Sequence, residues 1–231
     1  MDEQTRLDLY QFLSEYVSED RKQRFEEVLA RRTRYITTVL EDIYQPQNAS
    51  AVIRSCEGMG IQDLHIIEHH HDFSVSESVT IGAEKWLTLH NYRQEGADNT
   101  LACIDQLKGQ GYKICATTPH TDDVSIQNLP LDHPVALAFG SEMEGLSDTL
   151  MDKADYFVRI PMFGFSESYN ISVSAAICLY ELRMRLSESD INWQLSEAEK
   201  QHLRFEWTRA SVKRADMLER YFFEKQSPSG K

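Results

Sequence analysis

Three short stretches set small polar or charged side chains beside glycine or at a helix head, in patterns that suit ligand capture. Asn48-Ala49-Ser50-Ala51-Val52-Ile53-Arg54 places an amide and a guanidinium six positions apart. Phe139-Gly140-Ser141-Glu142-Met143-Glu144-Gly145-Leu146-Ser147 leaves an apolar segment through two glycines with carboxylates between them. The third stretch runs from Ile160 to Ser174. It breaks at Pro161 and Gly164, then brings Ser168 and Asn170 to the start of a long apolar segment. Such a loop can wrap a small polar ligand, with backbone amides and short side chains facing inward. The three stretches echo one another and point to one site assembled from distant parts of the chain.

Each residue also has a plain structural use. Asn48 and Asn170 fit helix N-caps, and Ser168 can close a turn. Thr117 can simply end a strand, and Glu142 can be a solvated loop carboxylate. Arg54 can be a helix-surface arginine. Glu68-His69-His70-His71-Asp72 invites a metal reading. A helix could not aim adjacent histidines at one ion, and no matching His or Cys cluster occurs elsewhere, so no metal is expected.

The elements that must hold these residues follow from hydrophobic periodicity. Residues 4–32 read as helical. Ile36–Leu40 is a β-branched strand. A helix is expected from about Asn48 to Met59, a strand at 64–67, then a loop, a short helix and a strand at 86–89. Thr100–Lys108 reads as a helix, 112–117 and 135–139 as strands. Ser147 can cap a short helix through Met151, 156–160 is the last strand, and Asn170 to about Leu186 is a long helix. Strands alternating with helices predict an α/β fold with a mostly parallel sheet flanked by helices. Ser187–Asn192 reads as a linker, followed by a helical extension over about 195–225 and a frayed Ser-Pro-Ser-Gly-Lys tail. The divisions expected are 1–34, an N-terminal helical extension; 35–187, the core domain; and 188–231, a C-terminal helical extension.

Composition bounds the partners and the compartment. The 231 residues are 41% hydrophobic, which supports a folded core. No apolar run approaches the roughly 20 residues of a membrane helix. The start, Met1-Asp2-Glu3-Gln4, is neither a secretory signal nor a basic transit peptide. Cys56, Cys103, Cys115 and Cys178 form no CxxC pair and sit among apolar neighbours, as reduced thiols of a cytoplasmic protein would. The net charge of −13 argues against a nucleic-acid partner. The distribution softens that objection: residues 21–34 carry a local +4 and residues 200–225 a local +3.

Taken together, the three stretches resemble the motifs of the SpoU, or TrmH, branch of the SPOUT RNA methyltransferases. The likeness runs from about Arg31 to Glu181. Asn48 and Arg54 match the first motif, Phe139–Ser147 the second, and Ser168-Tyr169-Asn170 the third, where Tyr169 replaces a usual leucine. The resemblance implies a SPOUT-type fold with a deep C-terminal trefoil knot, which ordinary topology rules would not propose. It implies S-adenosylmethionine as cofactor, with contacts at Thr117, Gly140, Ile160 and Tyr169. It also implies a catalytic group of Arg54, Asn48, Glu142, Ser168 and Asn170, and a homodimer whose partner chain helps complete the site.

The combination of basic N-terminal helix, core and C-terminal helix looks most like the tRNA guanosine 2′-O-methyltransferase group, which makes tRNA the expected partner and the D-loop guanosine-18 the expected target. Methylation of ribosomal RNA or of another tRNA nucleotide, and a non-catalytic RNA-binding member of the fold, remain open. Arg31, Arg32 and Arg34 are the expected tRNA backbone contacts. Arginine stays protonated in proteins, so Arg54 is read as a phosphate grip, not as a base.

Overall fold

The structure, a computed structural model, describes residues 1–119 and 124–226. The 227–231 tail lies outside the described residues. The chain divides into two compact units: Thr33–Gln194, and Met1–Arg32 together with the segment from Leu195 onward.

The first of these units is built on period-two strands. In β1 (Ile36–Glu41) Ile36 and Leu40 point into one apolar layer and Val39 into the other. In β6 (Val135–Phe139) Val135, Leu137 and Phe139 face the first layer, and Ala136 and Ala138 the second. Burial on both faces accounts for the nearly continuous apolar runs seen in the sequence. The other strands are β2 (Asp63–Ile67), β3 (Thr88–Tyr92), β4 (Lys113–Thr117), β5 (Val124–Ser125) and β7 (Tyr156–Arg159). The sheet runs β3-β2-β1-β6-β4-β7-β5, and every pairing is parallel. The expected mostly parallel sheet flanked by helices is therefore present.

Helix α3 (Pro46–Gly58) and helix α7 (Ile171–Ser187) pack together on the first face, while α5 (Asn99–Gly109) and α6 (Asp148–Lys153) cover the second. The turn α4 (Glu77–Thr80) lies beside α3. In the other unit, residues 4–32 form two helices instead of one, α1 (Glu3–Ser14) and α2 (Glu19–Leu29). Ser18 caps α2 by accepting from the Arg21 amide, with Glu19 and Asp20 in the first turn, and this local signal interrupts the longer apolar periodicity. The later extension likewise divides into α8 (Glu197–Ser211) and α9 (Ala215–Gln226), with Arg214 at φ 61° between them.

Two further expectations shift. The strand expected at 86–89 begins two residues later, because Ala83–Trp86 forms a 3-10 turn. Helix α3 starts at Pro46, which occupies its first turn, so Gln45 is the N-cap and Asn48 lies inside the helix. Asn170 does cap α7, accepting from the Ser172 amide at 2.9 Å. Among the described residues no helix is long and apolar enough to cross a membrane.

Candidate functional site

Adjacent strands β1 and β6 send their connections to opposite faces: β1 leads to α3 on one side, β6 to α6 on the other. The carboxyl end of such a pair opens a crevice in which α/β folds place ligands. Three of the five expected catalytic residues meet there. Asn48, freed from capping, donates through Nδ2 to the Glu142 carboxylate. Its Oδ1 accepts from Asn170 Nδ2 at 3.1 Å, and Asn170 in turn accepts from both the Ser172 amide and hydroxyl. The bonds run in one direction, from the first turn of α7 through α3 to the loop after β6. Asn48 is buried, whereas Glu142 is exposed. Among the described residues the second carboxylate oxygen of Glu142 takes no hydrogen bond and is left as an acceptor.

The loop carrying Glu142 is closed on itself. Ser141 and Gly145 exchange backbone hydrogen bonds at 3.0 Å, and Ser141 Oγ accepts from the Glu144 amide. A Cβ on Gly140 would fall within the backbone of Gly145 and Leu146, so only glycine fits. Gly140 therefore has a structural duty in this loop.

Three of the four expected cofactor positions fall at the ends of neighbouring strands. Gly140, Thr117 and Ile160 lie at or just beyond the carboxyl ends of β6, β4 and β7, which are neighbours in the sheet. Thr117 donates its hydroxyl to the Ala138 carbonyl at 2.7 Å, tying two of these ends together. Tyr169 is exposed, one residue before the α7 cap, and Phe163 and Phe165 on the same loop are almost fully exposed.

Arg54 and Ser168 are not drawn into the network. Six residues along α3 carry Arg54 about 9 Å from Asn48 and onto another face. It is exposed and leans toward α4, with Nη1 3.5 Å from the Val79 carbonyl oxygen. Ser168 is exposed in the loop before α7. The basic triplet also separates. Arg31 is exposed, but Arg32 is 0% exposed, with its guanidinium 5.4 Å above the Trp207 ring. Burial removes Arg32 from any phosphate contact. Arg34 is half-buried and held by Asp63 at 2.7 Å, so it too is engaged within the protein.

Sequence reasoning passed over two carboxylates next to the site. Glu41 is buried at the end of β1 and takes donors from Ser147 and Thr100. Asp42, at φ 51°, accepts from the amides of His69, His70 and His71 and from the His71 ring. Burial would raise the Asp42 pKa, but these donors outweigh it and hold the carboxyl below its usual range. The histidine run thus serves as an amide nest for a carboxylate. Among the described residues no three metal-binding side chains converge. A charged pair closing an otherwise apolar strand was the signal available in the sequence.

Residues 35–180 match the SpoU rRNA methylase family. The chain is 43% identical to the tRNA (guanosine(18)-2′-O)-methyltransferase of Borreliella burgdorferi, over 90% of this chain and 93% of that protein. It is 30% identical to the enzyme of the same name from Escherichia coli K12, over 78% of each. The crystal structure of the A. aeolicus TrmH/SpoU tRNA modifying enzyme superposes with a TM-score of 0.75 at 28% identity, covering 85% of this chain and 98% of that one. With more than half of its length inside the matched region and a relative 43% identical over 90% of it, the chain belongs to the SpoU rRNA methylase family.

Proposed function

We propose that the protein transfers a methyl group from S-adenosylmethionine to a ribose 2′-oxygen of tRNA, with the D-loop guanosine-18 as target. The observation that carries this reading is the hydrogen-bonded chain Asn170–Asn48–Glu142 at the β1–β6 crevice. The names of the relatives at 43% and 30% identity support the substrate.

The chain's residues fit the cofactor. The carboxyl ends of β6, β4 and β7 lie side by side and bring Gly140, Thr117 and Ile160 to one edge of the sheet, and the exposed Tyr169 ring lies on the loop after β7. S-adenosylmethionine, when bound, supplies an electrophilic methyl group. The protein's part is to hold the ribose hydroxyl in line and to take up its proton. Glu142 presents its open oxygen for that proton, and Asn48 fixes the carboxylate. Arg54 remains cationic and grips a substrate phosphate bidentately. Ser168 lines the same loop. Positioning of this kind contributes up to about 7–11 kcal/mol to such reactions.

The deep C-terminal knot belongs to the same reading. Its support is the path from β7, which pairs with β4 and β5, to α7, which packs on α3 beyond the β1–β6 pair. A homodimer covers the outer face of α7, where Val173, Tyr180 and Met184 are exposed at helical spacings, and the partner chain helps complete the site. RNA backbone contacts fall to the terminal helical unit, with Arg31 as the member of the triplet that reaches solvent. The four cysteines are buried free thiols, in keeping with a cytoplasmic location. Labelled S-adenosylmethionine offered with unmodified tRNA or with ribosomal RNA tests the reading. Label in tRNA is expected; label confined to ribosomal RNA, or to neither, overturns it.

A further inference from the structure

Glu41 is the last residue of β1 and shares the side of Val39, the face covered by α5 and α6. A carboxylate there is 2% exposed and must be satisfied by donors. Ser147 donates its amide to Oε2 at 2.8 Å and its hydroxyl to Oε1 at 2.7 Å. Thr100 donates its hydroxyl to Oε1 at 2.5 Å. Thr100 has one hydroxyl proton and gives it to Glu41, so its 2.8 Å contact with His69 Nε2 places the His69 proton on Nε2. One buried carboxylate thereby joins β1, the first turn of α5, the loop after β2 and the start of α6.

The same Ser147 closes the loop that carries Glu142. That loop leaves β6 at Phe139, which pairs with Leu40, and ends at Ser147, which is bound to Glu41. Both ends are thus clamped to consecutive residues of β1, and Glu142 sits between them on Asn48.

We propose that Glu41 is a positioning residue for methyl transfer: through Ser147 it fixes the 140–147 loop so that Glu142 is held at Asn48. The inference rests on the reaction proposed above. It explains why a strand that is otherwise apolar at its carboxyl end finishes in a buried acid. A misplacement of about 1 Å at a reacting group can cost on the order of 10²-fold in rate, so a second clamp on a glycine-rich loop has a catalytic consequence.

Glu41→Gln keeps the shape and removes acceptor capacity. With full-length protein and unmodified tRNA, kcat is expected to fall roughly 10- to 100-fold while KM for tRNA stays within about threefold. Ser147→Ala, which keeps the amide bond to Glu41, is expected to lose less in the same direction and serves if Glu41→Gln folds poorly. In a Glu142→Ala background the Glu41→Gln effect should largely vanish, because both changes act on one group. Amide hydrogen exchange over 140–147 should rise in Glu41→Gln without any substrate present. A fully additive double mutant, or wild-type kcat and loop protection in a folded Glu41→Gln protein, overturns the proposal. Absence of methyl transfer by the wild type would instead sink the proposed reaction, and the loop protection would still decide for or against the clamp.

Discussion

Asn48 and Glu142 lie 94 positions apart and share a hydrogen bond across the carboxyl end of the β1–β6 pair. The bond is available because Pro46 moves the start of α3 forward, leaving the Asn48 side chain free of capping duty. Asn170 supplies the third corner, since its own capping oxygen leaves Nδ2 free to reach Asn48 at 3.1 Å. A single amide therefore couples the first turns of two helices to an acidic loop.

Removal of the Glu142 carboxylate should act on turnover more than on binding. Glu142→Gln is expected to lower kcat by about 10²- to 10⁴-fold, the usual worth of a positioned proton acceptor. Steady-state kinetics with a thermal melt on the same sample checks this. A loss appearing in KM alone would assign Glu142 to substrate binding.

Arg54 stands apart from that network, and its role is to be read from the substrate side. Arg54→Ala should nearly abolish methyl transfer and leave the calorimetric titration with S-adenosylmethionine unchanged. Unaltered turnover would remove it from the reaction.

The two neighbouring arginines should behave differently. Arg31→Glu is expected to weaken tRNA binding and to reduce the slope of log affinity against log salt by about one. Arg32→Ala should cost roughly 1–3 kcal/mol of stability through lost packing on Trp207. Gel shifts at several salt concentrations and urea titrations separate the two effects.

His65 gives the fold a defined acid sensitivity. It is buried in β2, stacked on His90 with ring centroids 4.4 Å apart, with Nδ1 3.0 Å from the Tyr92 hydroxyl. Burial, reinforced by His90, lowers its pKa from 6.5 to about 4. The nearby Asp63 is held below its usual range: burial works against this, but His90 and Arg34 outweigh it. Between pH 6.5 and 4 the unfolded chain binds more protons at His65 than the folded one. The contribution is therefore intact above that window and is lost as pH falls through it, at up to about 1.4 kcal/mol per pH unit. Urea midpoints at pH 7, 6 and 5 should fall in the wild type and fall less in His65→Gln; parallel slopes would contradict the assignment.

Apart from β5 and the late start of β3, the strands, the α7 cap and the short helix after Ser147 were legible because each rests on local chemistry: period-two burial, or a side chain bonding an amide two or three residues away. That residues of the three stretches meet was legible because glycine and short polar residues interrupt apolar segments. The break at Ser18 was also local, yet flanking apolar residues at helical spacing masked it. What the sequence could not disclose depends on distant partners. Arg32 reads as one of a solvated triplet until Trp207 covers it. Glu41 reads as a strand end until Ser147 and Thr100 arrive from 106 and 59 positions away. Asp42 gives the histidine run its purpose only because the backbone there adopts a left-handed conformation.

The central claim is most directly tested by mapping the methylated ribose. Unmodified tRNA incubated with the full-length protein and S-adenosylmethionine, then digested and resolved by mass, should contain 2′-O-methylguanosine at the D-loop position and nowhere else. Methyl groups on a base, on another ribose, or on none would contradict the account.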